Sequence, residues 1–320
     1  MCAQTIQKVA IVGATGRIGG AFAKALVEGG KHTVTALTRE DGGGKLPEGV
    51  HVVKVNYDDE ASIINALKGQ QFLAITLSVR APQDLHKRIA DAAGKAGVSL
   101  IMPNAYGYPV AAGGPQVGDS YGKIAIDRVN EVKSGISSSL KLSCGFWYEW
   151  SLATGEQWFG FTIKDRKVTF FDDGKRTITV STWDQCGRAL AALLSLPESG
   201  SSPSLAEYKN SNCSIYSFRV SQRDMLDSLH RVLGTTDSDW EITYEPVEKR
   251  LKDGAEETSQ GEITGFVKTM YGKVFLNSNE MSDFAAKGSD NIALGLPQED
   301  LDEATKRTVE MVENGWNPLG

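Results

Sequence analysis

Lys8-Val9-Ala10-Ile11-Val12-Gly13-Ala14-Thr15-Gly16-Arg17-Ile18-Gly19 decides how the rest of the chain is read. Val9 to Val12 is a short apolar run, as expected of a strand buried on both faces. Three glycines follow at a spacing of three, and then Phe22, Ala25 and Leu26 recur at helical spacing. Strand, glycine turn and helix form the layout of a dinucleotide-binding βαβ unit. Gly13 permits a tight turn, Gly16 lets backbone approach a pyrophosphate, and Gly19 lets helix and strand pack closely. The helix N-terminus then turns its free N–H groups toward the phosphates. Gly13, Ala14, Thr15, Gly16, Arg17 and Ile18 are therefore candidate cofactor-binding residues. The spacing is G-x-x-G-x-x-G rather than G-x-G-x-x-G, and an ordinary strand-to-helix turn is the plain alternative.

The next elements repeat the pattern. His32 to Leu37 reads as a second strand that runs on to Thr38 and Arg39. An acid at this place, about 20 residues after the first glycines, suits a ribose 2′-hydroxyl, whereas an arginine suits a 2′-phosphate. Arg39 therefore points to NADP(H), with Arg17 as a second guanidinium for the same phosphate. Glu40 and Asp41 follow directly, and a solvated loop charge is the plain alternative for Arg39. Val50 to Val55, Phe72 to Leu77, Ser99 to Met102 and Leu140 to Ser143 read as further strands. Helices are expected near Asp59 to Leu67, from Pro82 to about Ala96, and from Tyr121 to Val132. Asp58 or Asp59 either caps the first of these or touches an adenine. Strand and helix alternate throughout, which predicts a doubly wound parallel sheet. Ligands bind at the carboxyl ends of such strands, so Thr76, Leu77 and Ser78 join the cofactor candidates.

Beyond the fifth strand come the loop Pro103 to Pro109, a polar loop from Ala111 to Asp119, and the helix bearing Lys123. Tyr121, Ile124, Ala125, Val129 and Val132 form the expected apolar face of that helix. Lys123 lies beside this face, where it either works in a site or pairs with Asp127 at i+4. The sixth strand runs into Cys144-Gly145-Phe146-Trp147-Tyr148-Glu149-Trp150, at the end where a nicotinamide would lie. Pro103, Gly145 and Phe146 are cofactor candidates there, and Tyr106, Trp147, Tyr148 and Trp150 are substrate candidates. The same aromatic cluster also suits an interdomain core.

The pattern then changes. Lys167 to Phe171 and Thr177 to Ser181 alternate around Asp172-Asp173-Gly174-Lys175, which predicts a β-hairpin. Ser214 to Val220 and Trp240 to Tyr244 read as strands. Ser221 and Asp224 are spaced as a capping box, and Pro297 to Asn314 reads as a final helix with an acidic start. The organisation expected is a Rossmann-type domain over 1–155 and a smaller α/β substrate domain over 156–320, some of whose segments return to the first.

Composition narrows the function. The chain has 320 residues and a formal net charge of -6, which argues against nucleic acid as a main partner. Ala189 to Leu196 is too short an apolar run to span a bilayer. The four cysteines and four histidines are scattered, so no metal site is expected, and the thiols suggest a reducing compartment. Met1-Cys2-Ala3-Gln4-Thr5 shows no secretory pattern. A cytoplasmic protein is expected, acting on a small molecule as a monomer or homodimer.

The glycine motif, Arg39, Pro103 to Gly107 and the Lys123 helix together resemble the NmrA-like and isoflavone-reductase-like branch of atypical short-chain dehydrogenases. Gly145 to Glu149, Thr182 to Arg188 and Ser217 to Gln222 resemble blocks of fungal isoflavone-reductase-like oxidoreductases. The resemblance implies an NADP-binding Rossmann domain with a smaller substrate domain across a cleft. It also implies a role in secondary metabolism and a working lysine at Lys123. Asn104, Ala105 and Tyr106 depart from the family's Pro-Ser-Glu-Phe-Gly loop. The residue four before Lys123 is Asp119, so the Tyr-x-x-x-Lys pair of commoner short-chain dehydrogenases is absent. The activity implied is NADPH-dependent reduction of an aromatic or polyketide-like ketone, enone or lactone, with Lys123 as acid or oxyanion stabiliser. Two alternatives stand beside it: a non-catalytic NADP(H)-sensing regulator, and a redox-neutral isomerase or dehydratase that retains the cofactor.

Overall fold

The computed structural model describes residues 4–109, 120–133 and 136–316; the expected polar loop 111–119 and Cys2 lie outside the described residues. The first half alternates as its periodicity predicts. β1 (Lys8–Val12) leads to α1 (Arg17–Glu28), β2 (Thr33–Arg39), β3 (His51–Val55), α2 (Glu60–Leu67) and β4 (Phe72–Ile75). α3 (Leu85–Lys95), β5 (Leu100–Met102), α4 (Ser120–Lys133) and β6 (Ser138–Ser143) follow. Then come β7 (Phe146–Trp147), α5 (Tyr148–Thr154), α6 (Glu156–Phe159), β8 (Phe161–Thr162), β9 (Lys167–Phe171) and β10 (Ile178–Ser181). The chain goes on through α7 (Trp183–Leu194), β11 (Ser211–Ser214), β12 (Phe218–Val220), α8 (Gln222–Leu233) and β13 (Glu241–Glu245). α9 (Val247–Ser259), α10 (Ile263–Val274) and α11 (Leu301–Glu313) complete it.

The described residues divide into two compact units. The first draws on Met1–Ser143, Trp183–Ile215 and Ser289–Leu296; the second on Cys144–Thr182, Tyr216–Gly288 and Pro297–Gly320. Residue 155 falls inside the second unit.

The first unit is a seven-stranded parallel sheet in the order β11-β6-β5-β4-β1-β2-β3. This is the doubly wound dinucleotide-binding order with β11 added at one edge. On one face Ala10, Val12, Leu37, Leu73 and Ile75 pack against Ile63 and Leu67 of α2 and Ile89 of α3. Side-chain alternation sends Val9 and Ile11 to the other face. α1 packs there against α7, so closely at Gly187 that a Cβ would stand 2.5 Å from the Ala21 carbonyl oxygen.

The second unit holds two three-stranded sheets, β12-β10-β7 and β13-β9-β8. The expected β-hairpin is not formed. β9 pairs in parallel with β13, whereas β10 pairs with β12 and β7 in the other sheet. The turn residues correctly mark a change of direction, but all four β10 residues are buried and both its edges are taken. The expected strand Ser214 to Val220 is likewise two strands, β11 and β12, that belong to different units. Three smaller corrections concern the first unit. β4 stops at Ile75, Pro82 precedes α3 and accepts from the Leu85 N–H at 3.1 Å, and Ile124 is exposed. Local capping signals held better. Asp59 accepts from the Ala61 N–H at the start of α2, and Ser221 and Asp224 form a reciprocal capping box on α8.

Candidate functional site

Gly13 carries φ +81°, and a Cβ there would lie 2.1 Å from the Thr76 carbonyl oxygen. The conformation and the close approach both require glycine. Thr76 is the reason for the crowding. Its backbone N–H and its Oγ1 both donate to the Val12 carbonyl, at 3.0 and 2.6 Å, and so brace the end of β4 against the end of β1. Gly19 completes the contact, since a Cβ there would meet the Gly13 oxygen at 2.3 Å. This crevice lies where the strand order reverses, between β1 and β4. α1 begins there at Gly16 with no side-chain cap and no acid in its first turn. Its positive end is thus built to face an anion. Thr15, Gly16 and Ser78 are exposed, Leu77 is half-buried, and Ala14 and Ile18 are buried. Arg17, at the first helical position, is half-buried, and burial lowers its guanidinium from the usual value. Gly13→Ala should lower stability by about 1–3 kcal/mol and weaken NADPH binding. Unaltered binding in a cofactor titration would exclude this crevice as the cradle.

Arg39 ends β2 with 75 % of its side chain exposed and its Nε 3.8 Å from Asp41. Its guanidinium is thus presented to solvent beside the glycine turn's strand. Lys54, absent from the expected site, reaches the same turn from β3 and donates to the carbonyls of Arg39 and Gly42 at 3.2 and 3.0 Å.

The loop after β5 is anchored from beneath. Pro103, Ala105 and Tyr106 are buried, and the Tyr106 hydroxyl donates to the Ile75 carbonyl at 3.0 Å. Tyr106 therefore braces β4 and turns its polar end inward. Asn104 donates from Nδ2 to the Leu77 carbonyl at 3.2 Å, and from its backbone N–H to His86 Nε2 at 3.1 Å. Since Nε2 accepts, Nδ1 carries the proton and donates to Glu131 at 2.6 Å. Sequence reading passed over His86; on α3 it resembles any other scattered histidine.

Gly145, Phe146, Trp147, Tyr148 and Trp150 all belong to the second unit. Gly145 has φ +64°, and a Cβ would stand 2.1 Å from the Thr179 oxygen, so this glycine lets β7 lie on β10. Phe146 stacks on Tyr271 with centroids 4.0 Å apart. Tyr148 is fully buried and its hydroxyl bonds Thr305 Oγ1 at 2.7 Å, so for this residue the core reading replaces the substrate-wall reading. Trp147 and Trp150 are half-buried. Between them Glu149 is only 4 % exposed; its Oε1 is 3.4 Å from Arg307, and its Oε2 has no hydrogen-bond partner among the described residues.

Two buried titratable groups set opposite pH limbs. Burial pushes the His86 imidazole down to about 4, against the pull of Glu131. An unfolded chain takes up that proton near about 6.5, so stability is present above this pH and falls by about 3 kcal/mol as pH drops through the folded value. Burial pushes the Glu149 carboxyl up to about 7, with Glu299 adding to the rise and Arg307 opposing it. Here the stability is present in acid and declines by about 3 kcal/mol as pH rises through the folded value. Chemical unfolding across this range should show each limb flattened in its own variant, His86→Gln or Glu149→Gln. Parallel pH profiles for parent and variant would refute the assignment.

Lys123 stands on the first turn of α4 and donates to Asp127 Oδ2 at 2.9 Å. Among the described residues, no group of three or more metal-ligating side chains is assembled, and no helix is long and apolar enough to cross a membrane. Cys144, Cys186 and Cys213 are buried.

Residues 5–123 match the NmrA-like family. They run from β1 to Lys123 and contain the glycine turn, Arg39, Thr76 and the Pro103 loop. A curated relative, oxidoreductase aprR of Aspergillus flavus, is 26 % identical over 305 residues, covering 92 % of this chain and 96 % of the relative. Among solved structures this chain is similar in fold to an isoflavone reductase, with a TM-score of 0.68 at 19 % identity over 95 % of this chain and 99 % of the other. It is also similar to AtPrR2 with NADP+ and (+)pinoresinol, with a TM-score of 0.69 at 17 % identity over 95 % and 99 % of the two chains. The fold is thus a mixed α/β, Rossmann-like one.

Proposed function

We propose that this chain is an NADPH-dependent reductase of an aromatic or polyketide-like ketone, enone or lactone. The coarse activity, an oxidoreductase, is supported by the curated relative, and the NADP by a similar structure, AtPrR2 with NADP+ and (+)pinoresinol. The observation that carries it is the uncapped, acid-free N-terminus of α1 at the β1–β4 crevice, with Arg39 ending the neighbouring strand. Gly13 to Ile18 hold the pyrophosphate there, and Arg39 with Arg17 holds the 2′-phosphate. Thr76, Leu77 and Ser78 border the dinucleotide at the end of β4, and Pro103 serves its nicotinamide side. Bound NADPH supplies the hydride. Lys123 supplies the proton or stabilises the oxyanion at the substrate oxygen. Its pair with Asp127 is 70 % and 52 % exposed at the two side chains, and such a pair is worth only about 0.3–0.5 kcal/mol. The ammonium can therefore leave Asp127 for a substrate at little cost. The substrate class is supported by the names of the similar structures, which concern an isoflavone and pinoresinol, both aromatic molecules. The protein works in the cytoplasm as a monomer or homodimer.

Cofactor titration tests this reading first. NADPH should bind more tightly than NADH, and Arg39→Asp should reverse the order; equal dissociation constants in the parent would refute it. Aromatic ketones, enones and lactones then follow, scored by NADPH oxidation. Tight NADPH binding without oxidation by any of them favours a cofactor-sensing regulator. Conversion without net NADPH consumption favours a redox-neutral enzyme.

A further inference from the structure

Arg39, Glu40 and Asp41 are three successive residues with opposite preferences for the ribose 2′ position. An arginine suits the phosphate and an acid suits the hydroxyl, so which one is presented depends on the turn that carries them. That turn is closed by the Gly42 N–H donating to the Arg39 carbonyl at 3.0 Å, with Glu40 and Asp41 at its two central positions. Lys54 clamps both ends. Its Nζ donates to the Arg39 carbonyl at 3.2 Å and to the Gly42 carbonyl at 3.0 Å. The strand register explains its reach, since Lys54 is the partner of Thr38 and Val55 of Arg39. The far side of the loop is also confined: a Cβ on Gly44 would lie 2.7 Å from Thr15 Cγ2, which seats this loop on the glycine turn itself.

We infer that Lys54 is a positioning residue for cofactor specificity: by holding the carbonyls of Arg39 and Gly42 it fixes the turn that presents Arg39, rather than Glu40 or Asp41, to the 2′-phosphate. The inference rests on the NADP reading above. Lys54 need not touch the cofactor. Its ammonium also offsets the two acids at the centre of the turn, so its loss removes both the clamp and the compensation.

The test is the ratio of the NADH and NADPH dissociation constants in the parent, Lys54→Met and Lys54→Arg, measured by calorimetry on the full chain. Lys54→Met keeps the aliphatic stem and loses the donors. NADPH should bind about tenfold more weakly, in line with the loss of charged hydrogen bonds, while NADH changes little. Lys54→Arg, which keeps charge and donors, should restore most of the ratio. An unchanged ratio in Lys54→Met, or an equal weakening for both cofactors, would overturn the inference, since a purely structural lysine weakens both alike. A parent without NADPH preference refutes the cofactor reading itself, and that result is seen before any variant is compared.

Discussion

Lys123→Met is expected to keep the fold and NADPH binding and to lose turnover by about 10²- to 10⁴-fold. Methionine matches the length of the lysine stem and removes the charge and the proton. In the proposed reaction the substrate oxygen gains negative charge as the hydride arrives, and an unneutralised oxyanion raises the barrier. The competing role is the helix-surface pair with Asp127, for which the same change costs a few tenths of a kcal/mol of stability and leaves the rate alone. The two roles therefore differ by orders of magnitude in one measurement. Once a substrate is found, single-turnover rates of parent and variant decide it: unchanged turnover removes Lys123 from the mechanism.

Arg250→Met is expected to cost about 3–5 kcal/mol of stability in the second unit. Arg250 has 2 % of its side chain exposed, and its Nη1 donates to Glu156 at 2.6 Å and to Glu245 at 2.9 Å. Nη2 reaches the Glu156 carbonyl at 3.0 Å, and the guanidinium lies 4.3 Å from the Phe171 ring centre. One side chain thereby joins α6, β13 and α9. Removing it leaves two carboxylates near each other with their shared cation gone. The same argument makes the loss recoverable: Glu156→Gln and Glu245→Gln added to Arg250→Met should regain part of it, because no unpaired charge then remains. A loss below about 1 kcal/mol in denaturant unfolding would show that the network is not holding these elements together.

Much of the first unit was legible because its signals are local. Val9 to Val12 followed by Gly13, Gly16 and Gly19 reads as a strand, a turn and a helix within one short window, and the strands through β6 are each announced by their own run, whereas β11, Ser-Asn-Cys-Ser, has none. Asp59 and Ser221-x-x-Asp224 were legible for the same reason: a cap is a contact between neighbours in sequence. Tyr148 and Tyr106 show where such reading stops. An aromatic residue at a strand's carboxyl end suits a pocket wall and a core equally well. Only the bonds from Tyr148 to Thr305 and from Tyr106 to the Ile75 carbonyl separate the two.

The sequence by itself thus determined the alternation of strands and helices through Ser143, the glycine turn at the end of β1, and the arginine at the end of β2. Hydrophobic period and turn chemistry act over a few residues and need no partner to be recognised. The tertiary structure decided that β9 and β10 part into different sheets and that His86 is held neutral under the Asn104 loop. It also placed Lys54 across the Arg39 turn and Arg250 between two acids. Each of these depends on which distant segment supplies the opposite edge, the opposite charge or the cover from water, and no residue carries that information without its partner.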